Sequence, residues 1–445
     1  MTSRRALNKT DESTASAYSY STSLQEDIRL TNALIQQLGD AQDDYLQGDV
    51  PTSALCRLLS LRSEYTASSF ETTNQQMKAP FRKIGFGQCG IIYEQPNRGY
   101  VLKLARKYFE DSLLGDLRAH LRVYQALADY PTDCRIPSVY KYITASNSSW
   151  WEANSHFFTA QDELELPTMA LATQHILPLP KIVRTALIDL YCPEEHKAAV
   201  TENPSNQDCL ARVYLGRSRV PNAPKSPNFT LRNFNLHLDQ MMELKLPIVD
   251  YSRAIGEALA VIHWRANIDA YDIEFVLGSE AEAIYRPEPT TAPQVRMKAE
   301  EVESMSTHTD IDEIVSVNFK QRSTRLWVLD FNLCSRWDMA QVLESGGEDK
   351  LVGHLVQAFF ENDPYYPRPI KSGANDADKD QVQNELWEVF CSAYLNKSKA
   401  VLAGSTTGGE QKERLLELPK SFIASCIAGA KCGRVSDNYK AVDNL

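Results

Sequence analysis

Residues 81–130 carry the pattern that most restricts the fold of this chain. Three short segments rich in β-branched and aromatic residues follow one another, Phe81–Ile84, Gly90–Glu94 and Tyr100–Ala105, and Pro96–Gly99 forms a turn between the last two. Apolar residues at helical spacing then fill Asp111–Tyr130. The sequence therefore predicts an antiparallel meander with a helix packed against it.

The same patterns predict further elements along the chain. Strands are expected at Ser138–Ile143, Thr168–Ile176 and Leu326–Phe331, with a hinge at Leu177–Pro180. Apolar residues at helical spacing predict helices at Asp250–Arg265, Lys350–Phe360, Gln381–Leu395 and Arg414–Ala428.

Three other segments have a distinct composition. Residues 1–22 are rich in Ser and Thr, so a disordered tail is expected. The capping-box pattern Ser23–Glu26 opens one helix and a second is expected from Ser53 to about Tyr65, which gives a helical hairpin within 23–78. Residues 289–318 are polar and acidic, which is typical of an inserted loop.

A short acidic stretch follows the helix expected to end near His263. Asp269, Asp272 and Glu274 place three carboxylates within six positions, next to the apolar run that begins at Phe275. Such a group suits a metal ion, a guanidinium or ammonium group, or proton transfer. A solvated acidic turn is the alternative for these residues, and His263 itself is expected to be a helix-end residue satisfied by a backbone carbonyl.

The charge of the chain is unevenly distributed. The 445 residues carry a formal net charge of −11, which repels phosphate backbones globally. Residues 209–238 nevertheless hold five basic residues and no acidic one, and 82–107 form a second basic window. Both windows are candidates for nucleic-acid contact or for a solvated surface; the five basic residues of 209–238 are Arg212, Arg217, Arg219, Lys225 and Arg232.

Nine cysteines occur without a C-x-x-C pair or histidines at zinc-finger spacing, which argues against a structural zinc site. The absence of a long apolar run and of a leader-like N-terminus leads us to expect a cytoplasmic protein with reduced cysteines. Cys89 and Cys334 are candidates for acyl-carrying nucleophiles. Simple packed thiols are the alternative.

The first part of the meander resembles the N-terminal lobe of the protein-kinase-like fold. Gly85, Gly87 and Gly90 form a G-x-G-x-x-G pattern between two strands, where missing side chains let the backbone approach phosphates. Lys103 on the next strand resembles the kinase strand lysine, and Asp116 on the following helix is a candidate partner for it.

The later segments continue this resemblance. Asp269 and Glu274 are five apart, as are the Asp and Asn of a kinase catalytic loop, and Asp330–Asn332 is similar to the metal-binding D-F-G. The resemblance implies an α+β, bilobal kinase-like fold with an antiparallel β N-lobe at 79–178. It also implies a mainly helical C-lobe at 179–445.

The sequence departs from the kinase pattern at specific positions. Asn267-Ile268 replaces the His-Arg before the catalytic Asp, Glu274 replaces the Asn, and Asn332 replaces the glycine. Asp272 adds a further carboxylate. The extra negative charge repels ATP phosphates unless a metal offsets it, and it favours a cationic substrate.

The segments 269–279 and 326–334 also resemble a fungal family often labelled as zinc-finger proteins, over about residues 80–365. That family is associated with arginine-containing cyclodipeptide synthases. The resemblance implies that arginyl-tRNA and a second aminoacyl-tRNA are the partners and that no cofactor is required. It implies no membrane and no DNA partner, and leaves any metal and the oligomeric state open.

The resemblance assigns provisional roles. Asp269, Asp272, Glu274 and Asp330 would be catalytic, while Gly85, Gly87, Gly90, Lys103 and Asn332 would bind substrate, and the basic residues of 209–238 would contact tRNA. An ATP- and Mg²⁺-dependent kinase of a small molecule or protein is the alternative, in which Lys103 holds ATP and Asp330 and Glu274 hold the metal. A pseudokinase scaffold is a third possibility, with the N-terminal hairpin and the C-terminal helices as docking surfaces. For Lys103 itself, a plain surface lysine at a sheet edge is the alternative.

Overall fold

The computed structural model describes most of the chain from residue 80 onward and a few short segments before it. The described residues are 55–56, 58–61, 64–66, 80–96, 98–158, 164–220, 224–285, 297–305, 316–342, 344–369, 377–404 and 409–431. The predicted tail 1–22, the first helix of the predicted hairpin and parts of the acidic insertion lie outside these residues.

The described residues form a mixed α+β structure. The strands are β1 (Glu64–Thr66), β2 (Arg82–Phe86), β3 (Gly90–Glu94), β4 (Tyr100–Ala105), β5 (Cys134–Arg135), β6 (Val139–Ile143), β7 (Ala170–Gln174), β8 (Ala211–Tyr214), β9 (Phe234–His237), β10 (Glu274–Tyr285) and β11 (Ser316–Leu329).

Helices make up much of the remainder. They are α1 (Glu110–Asp129), α2 (Ser148–Asn154), α3 (Lys181–Tyr191), α4 (Lys197–Glu202), α5 (Leu238–Glu243), α6 (Ile248–Trp264), α7 (Ala299–Ser304), α8 (Met339–Val342), α9 (Gly347–Glu361), α10 (Ala377–Ala403) and α11 (Glu410–Lys431), with 3-10 turns at Ser155–Phe157, Glu194–His196 and Pro204–Gln207. Within the part of the chain that the structure describes, no helix is long and apolar enough to cross a membrane.

The predicted meander is confirmed as part of a five-stranded antiparallel sheet. Its strand order is β2-β3-β4-β7-β6. Apolar residues on one face of α1 pack against this sheet, because Leu113, Leu117 and Leu121 share a buried cluster with Val139 and Leu171. Burial of such side chains stabilises the folded state by about 1.5–3 kcal/mol each. The helix therefore has a fixed position over β6 and β7.

A second sheet was not predicted. It contains six strands, with β5 pairing β11 and the main order β1-β11-β10-β8-β9, and the long β10–β11 hairpin forms its centre. The prediction that the part after residue 178 is mainly helical therefore omitted a sheet. The predicted strand Leu326–Phe331 is only the end of β11, which begins at Ser316.

Two predictions about irregular segments need correction. Leu55, Leu58 and Leu59 are buried in the main core, but Glu64–Thr66 pairs with β11, so the helix expected to reach about Tyr65 ends earlier. The acidic insertion is not entirely a loop, because α7 lies within it and Val302 is buried against the five-stranded sheet.

Two glycines in helices lie in opposite environments. A Cβ on Gly115 in α1 would have no neighbour within 4 Å, whereas a Cβ on Gly256 in α6 would lie 2.8 Å from the carbonyl oxygen of Phe390 in α10. The missing side chain at Gly256 thus permits the close approach of α6 and α10.

Gly115→Ala is expected to raise the free energy of unfolding by about 0.5–1 kcal/mol, because alanine is the better helix former. Gly256→Ala is expected to lower it by roughly 1–3 kcal/mol through overpacking. Denaturant titration of both variants with the wild type measures the two changes. Equal shifts in the two variants would contradict the close contact of α6 and α10.

Candidate active site

Strand register brings the acidic stretch together with distant residues. Glu274 at the start of β10 is paired with Leu329 at the end of β11, so Asp330 follows directly at the same edge of the hairpin. On the other side of β10, Val276 is paired with Arg212 of β8. Side chains of every second residue share a face, so Arg212 and Glu274 meet there.

The loops at this edge contain several residues in the left-handed backbone region. Asn267, Ala270, Asp272 and Asp330 have φ values of 58°, 59°, 61° and 63°. Asn and Asp tolerate this conformation better than most residues, and such residues cluster at functional sites. The turn at Asp330 ends β11 and directs its carboxylate toward Lys103.

Lys103 is held between two carboxylates. Its Nζ lies 2.7 Å from Oδ2 of Asp116 and 3.1 Å from Oδ1 of Asp330, and Oδ1 of Asp116 accepts a hydrogen bond from the backbone N–H of Phe331 at 3.0 Å. Burial opposes the charge, but Asp116 and Asp330 outweigh it and hold the pKa of Lys103 well above its usual value. The predicted pairing of Lys103 with Asp116 is confirmed.

The glycine loop covers this ion pair. The Gly87 N–H donates to the carbonyl of Gly90 at 2.8 Å, which closes the turn between β2 and β3, and Gly85 lies in β2 just before it. A Cβ on Gly90 would meet the Leu104 carbonyl oxygen at 2.8 Å and Cγ of Lys103 at 3.0 Å. Glycine at position 90 therefore allows the loop to lie directly on Lys103.

Glu274 is the most perturbed acid of the site. Its carboxylate forms an ion pair with Arg212, whose Nη1 also lies 3.2 Å from Oδ2 of Asp363. Burial raises the pKa of Glu274 to about 7, because the effect of Arg212 is opposed by the nearby Asp330, Asp363 and Asp272. Glu274 is thus poised to gain or lose a proton near neutral pH.

Asp272 lies close to the same groups. Burial and the neighbouring Asp330 and Asp363 raise its pKa, while Arg212 lowers it. Tyr214 donates a hydrogen bond of 2.7 Å to Asp363 and fixes that side chain. We call this group the carboxylate cluster; it comprises Asp116, Asp272, Glu274, Asp330 and Asp363, with Lys103 and Arg212 as its two cations. Five acids against two bases leave a net negative site.

Asp269 is not part of the open cluster. It is 2% exposed, and its Oδ1 accepts hydrogen bonds from the backbone N–H groups of Tyr271 at 3.1 Å and Ser335 at 2.9 Å. Its Oδ2 lies 2.8 Å from Nε2 of His354 on α9. Both oxygens are occupied, so Asp269 ties its loop to the segment after Asp330. These contacts favour a positioning role for Asp269, and the acid–base or substrate-binding role predicted for it stays a prediction.

The predicted basic surface is not uniform. Arg212 does not lie on it, because its guanidinium is partly buried within the carboxylate cluster. Arg219 pairs with Asp239 at 2.8 Å, and Lys225 donates to the carbonyl of Cys192 at 3.1 Å. The guanidinium of Arg232 lies over the ring of Phe86, and the backbone carbonyl of Arg217 accepts a hydrogen bond from the N–H of Leu238. The charge of this window is therefore partly compensated within the protein.

Neither candidate cysteine has the environment of a nucleophile. Burial raises the pKa of Cys89, although Lys103 opposes the shift, and burial raises the pKa of Cys334 well above its usual value. Cys334 donates to the carbonyl of Tyr271 at 3.3 Å. Both are protonated thiols at neutral pH, which agrees with the packed alternative. Asn332 is half-buried in the turn between Phe331 and Cys334.

His263 is also a structural residue. It lies in the last turn of α6, and its Nδ1 is 2.9 Å from the hydroxyl of Tyr394. Burial lowers the pKa of His263 to about 3, and the Asp269 backbone opposes that shift. The expected helix-end position is confirmed, but its hydrogen-bonding environment includes a side chain from α10.

The described residues contain one group of three potential metal ligands. Ligand atoms of Cys89, Asp116 and Asp330 lie within 4.8 Å of one another. The ammonium of Lys103 already pairs with both carboxylates, and the thiol of Cys89 is protonated. The positive charge that these carboxylates bind is therefore that of Lys103. This set of ligands does not resemble the Cys and His sets of structural zinc sites.

A family model described as "Zinc finger protein" matches residues 326–406. The match agrees with the resemblance to a family that often carries this label, and it includes Asp330 and His354 of the site. It covers less than half of the chain. No curated protein matches the sequence.

Several site residues carried no signal in the sequence. His354 and Ser335 contact Asp269 from positions 85 and 66 residues away, and Asp363 reaches Arg212 across 151 residues. Periodicity identifies none of these pairs. Arg212 is a charged residue among the apolar residues of the short strand β8. This pattern is the local signal that could have indicated a buried partner for it.

Proposed function

We propose that this protein is a tRNA-dependent cyclodipeptide synthase that joins arginine from arginyl-tRNA to a residue from a second aminoacyl-tRNA. The observation that carries the proposal is the carboxylate cluster, which has an excess of acids and contains Glu274 with a pKa near 7. The resemblance of 269–279 and 326–334 supplies the substrate class. A net negative site matches a guanidinium better than a polyphosphate.

The proposed reaction needs a base and precise positioning. The α-amine of one aminoacyl-tRNA attacks the ester carbonyl of the other, a C–N bond forms, and the C–O bond to the ribose oxygen breaks. Glu274 takes the proton from the amine and returns it to the leaving oxygen. The dipeptidyl ester repeats this step on itself and releases the second tRNA as the ring closes. The esters are already activated, so no ATP is consumed.

The remaining groups have complementary roles in this proposal. Asp272 and Asp363 grip the arginine guanidinium, because carboxylates and a planar guanidinium pair bidentately. Asp330 orients the α-amino group, which loses its first proton to solvent and attacks as the free amine. Lys103 is fixed by Asp116 and Asp330 and keeps the glycine loop in place over the site. Positioning of both reactants accounts for up to about 7–11 kcal/mol of the barrier reduction.

The finer fold assignment is also a proposal, namely a bilobal kinase-like arrangement. Three features support it: the five-stranded antiparallel sheet with α1 packed on it, the ion pair of Lys103 with Asp116 on that helix, and Asp330 after β11. A supply of aminoacyl-tRNA further implies a cytoplasmic location.

A second candidate is ATP-dependent phosphoryl transfer, which the Lys103–Asp116–Asp330 arrangement favours. Here Asp330 and Glu274 would hold Mg²⁺ and Lys103 would contact ATP phosphates. Arg212 already pairs with Glu274, so one of the two carboxylates that would hold Mg²⁺ is engaged by a cation of the protein.

Purified protein given arginyl-tRNA and a mixture of other charged tRNAs, without ATP, is expected to release a cyclic arginyl dipeptide detectable by mass spectrometry. ATP turnover is measured in parallel with Mg²⁺ present. Product that requires ATP, or ATP hydrolysis without any dipeptide, would support the kinase candidate. If both activities are absent and Lys103→Ala is as stable as the wild type, the pseudokinase scaffold is the function that remains.

A further inference from the structure

Phe86 is an exposed aromatic residue at the end of β2, where the glycine loop begins. Its side chain is 62% exposed, and it is the last residue of that strand. A single exposed apolar side chain is common on protein surfaces, so the groups around Phe86 decide what it can bind.

Two cations from different segments flank this ring. Nζ of Lys83 lies 5.6 Å from the ring centroid, and the guanidinium of Arg232 lies 5.3 Å from it. Lys83 belongs to β2, whereas Arg232 belongs to the basic window 209–238. The two basic windows that are far apart in the sequence therefore converge at Phe86.

The neighbouring arginine does not contribute to this surface. Arg82 points to the other face of β2, where it binds Glu94 at 2.8 Å and Asp208 at 2.7 Å. Its charge is thus compensated within the protein. The β-bulge between Lys83 and Gly85 shifts the alternation of side chains along β2, so Lys83 and Phe86 lie on the same face of the strand.

The glycine loop connects Phe86 to the carboxylate cluster. Cys89 is three residues further along, and its Sγ lies within 4.8 Å of carboxylate oxygens of Asp116 and Asp330. Three residues of chain span at most about 10 Å. One or two nucleotides can therefore span the distance from a base stacked on Phe86 to the carboxylate cluster.

We propose that Phe86, Lys83 and Arg232 form a stacking platform for the unpaired 3′ end of the tRNA. This inference rests on the proposed function and adds the place at which the tRNA is held. Bases stack on exposed aromatic rings without sequence preference, and neighbouring cations bind the phosphates. Because the amino acid is esterified to this unpaired end, a base on the platform places the ester near Asp330 and Glu274.

Binding of full-length tRNA and of tRNA lacking its unpaired 3′ nucleotides is measured by fluorescence anisotropy. Phe86→Ala is expected to weaken binding of the intact tRNA by roughly 5- to 150-fold and to leave the shortened tRNA unaffected. Phe86→Trp is expected to retain the affinity, whereas Phe86→Leu, which keeps apolar bulk, is expected to lose it.

Tyr108→Ala provides the matched control. Tyr108 is 84% exposed beside Lys107, but that lysine is paired with Glu165 at 2.6 Å. This variant is expected to bind intact tRNA as the wild type does. Lys83→Ala and Arg232→Ala are each expected to reduce the salt dependence of binding by about one phosphate contact, while Phe86→Ala leaves that dependence unchanged.

The outcomes separate this proposal from the proposed function. Three results would overturn the platform, even where cyclic dipeptide is formed. They are wild-type affinity of Phe86→Ala for intact tRNA, equal weakening of its binding to intact and shortened tRNA, and full affinity of Phe86→Leu for intact tRNA. Loss of ATP binding in Phe86→Ala with unchanged tRNA affinity overturns it as well. Phe86-dependent binding of intact tRNA without any dipeptide product would overturn the synthase proposal and leave the platform.

Discussion

Glu274→Gln is expected to lower kcat/KM for cyclic dipeptide formation by about 10²–10⁴-fold, the usual contribution of a positioned base. Glutamine preserves the size of the side chain but cannot accept the proton of the attacking amine. Steady-state kinetics with charged tRNAs measures the loss. Glu280→Gln on the same strand is the matched control, because Glu280 also pairs with an arginine, at 3.3 Å from Nε of Arg325, but lies outside the carboxylate cluster.

The pH profile tests the same assignment independently. Burial raises the pKa of Glu274 to about 7, so the basic form predominates above that pH and kcat/KM of the wild type should rise up to about pH 7 and then level. This rising limb should be absent in Glu274→Gln. A limb that persists in the variant would assign the base to another residue. Recovery of Glu274→Gln by high Mg²⁺ would instead indicate metal binding by Glu274.

Local patterns predicted the strands of the five-stranded sheet and the helix α1, and the resemblance to the kinase-like fold suggested the pair of Lys103 with Asp116. The strands and the helix depend on short-range signals, namely period-2 strands with glycine turns and apolar residues at helical spacing. Leu113, Leu117 and Leu121 fix the rotation of α1, and that rotation leaves Asp116 facing Lys103. The sequence therefore identified the part of the site that contains Lys103 and Asp116.

The other half depends on register between distant strands. Arg212 was assigned to a basic surface because counting charges in a window ignores what β8 faces, and only its pairing beside β10 brings it to Glu274. Asp269 likewise looked available until His354 and Ser335 occupied its two oxygens. No periodicity in the sequence encodes such long-range pairs.

Arg212→Met is expected to lower the free energy of unfolding by about 2–3 kcal/mol at pH 8, somewhat less than the 3–5 kcal/mol typical of a broken buried pair. We expect less than the typical loss because the side chain of Asp363 is 38% exposed. Methionine fills a similar volume but leaves Glu274 and Asp363 without their shared cation. Denaturant titration at several pH values measures the change.

The pH dependence distinguishes a lost charge from lost packing. Without Arg212, which lowers the pKa of Glu274, that pKa rises further above its unfolded value near 4.5. The folded state then binds more protons than the unfolded state from pH 4.5 to above 7, so stability falls as the pH rises through this range. The wild type shares this fall up to about pH 7, so the defect of Arg212→Met should be small at pH 5 and grow above pH 7, where only the variant still holds the proton.

Two further variants make this prediction specific. The double variant Arg212→Met with Glu274→Gln should recover much of the stability lost at pH 8, because one of the two stranded carboxylates is gone. Arg219→Met removes a more exposed pair with Asp239 and should cost less than about 1 kcal/mol. Burial raises the pKa of Asp239, but the backbone N–H and the guanidinium of Arg219 outweigh it and hold that pKa below its usual value. This smaller loss of stability should therefore not vary between pH 5 and 8. An Arg212→Met defect that is the same at pH 5 and pH 8 would mean that Arg212 acts through packing and that the carboxylate cluster does not depend on it for charge.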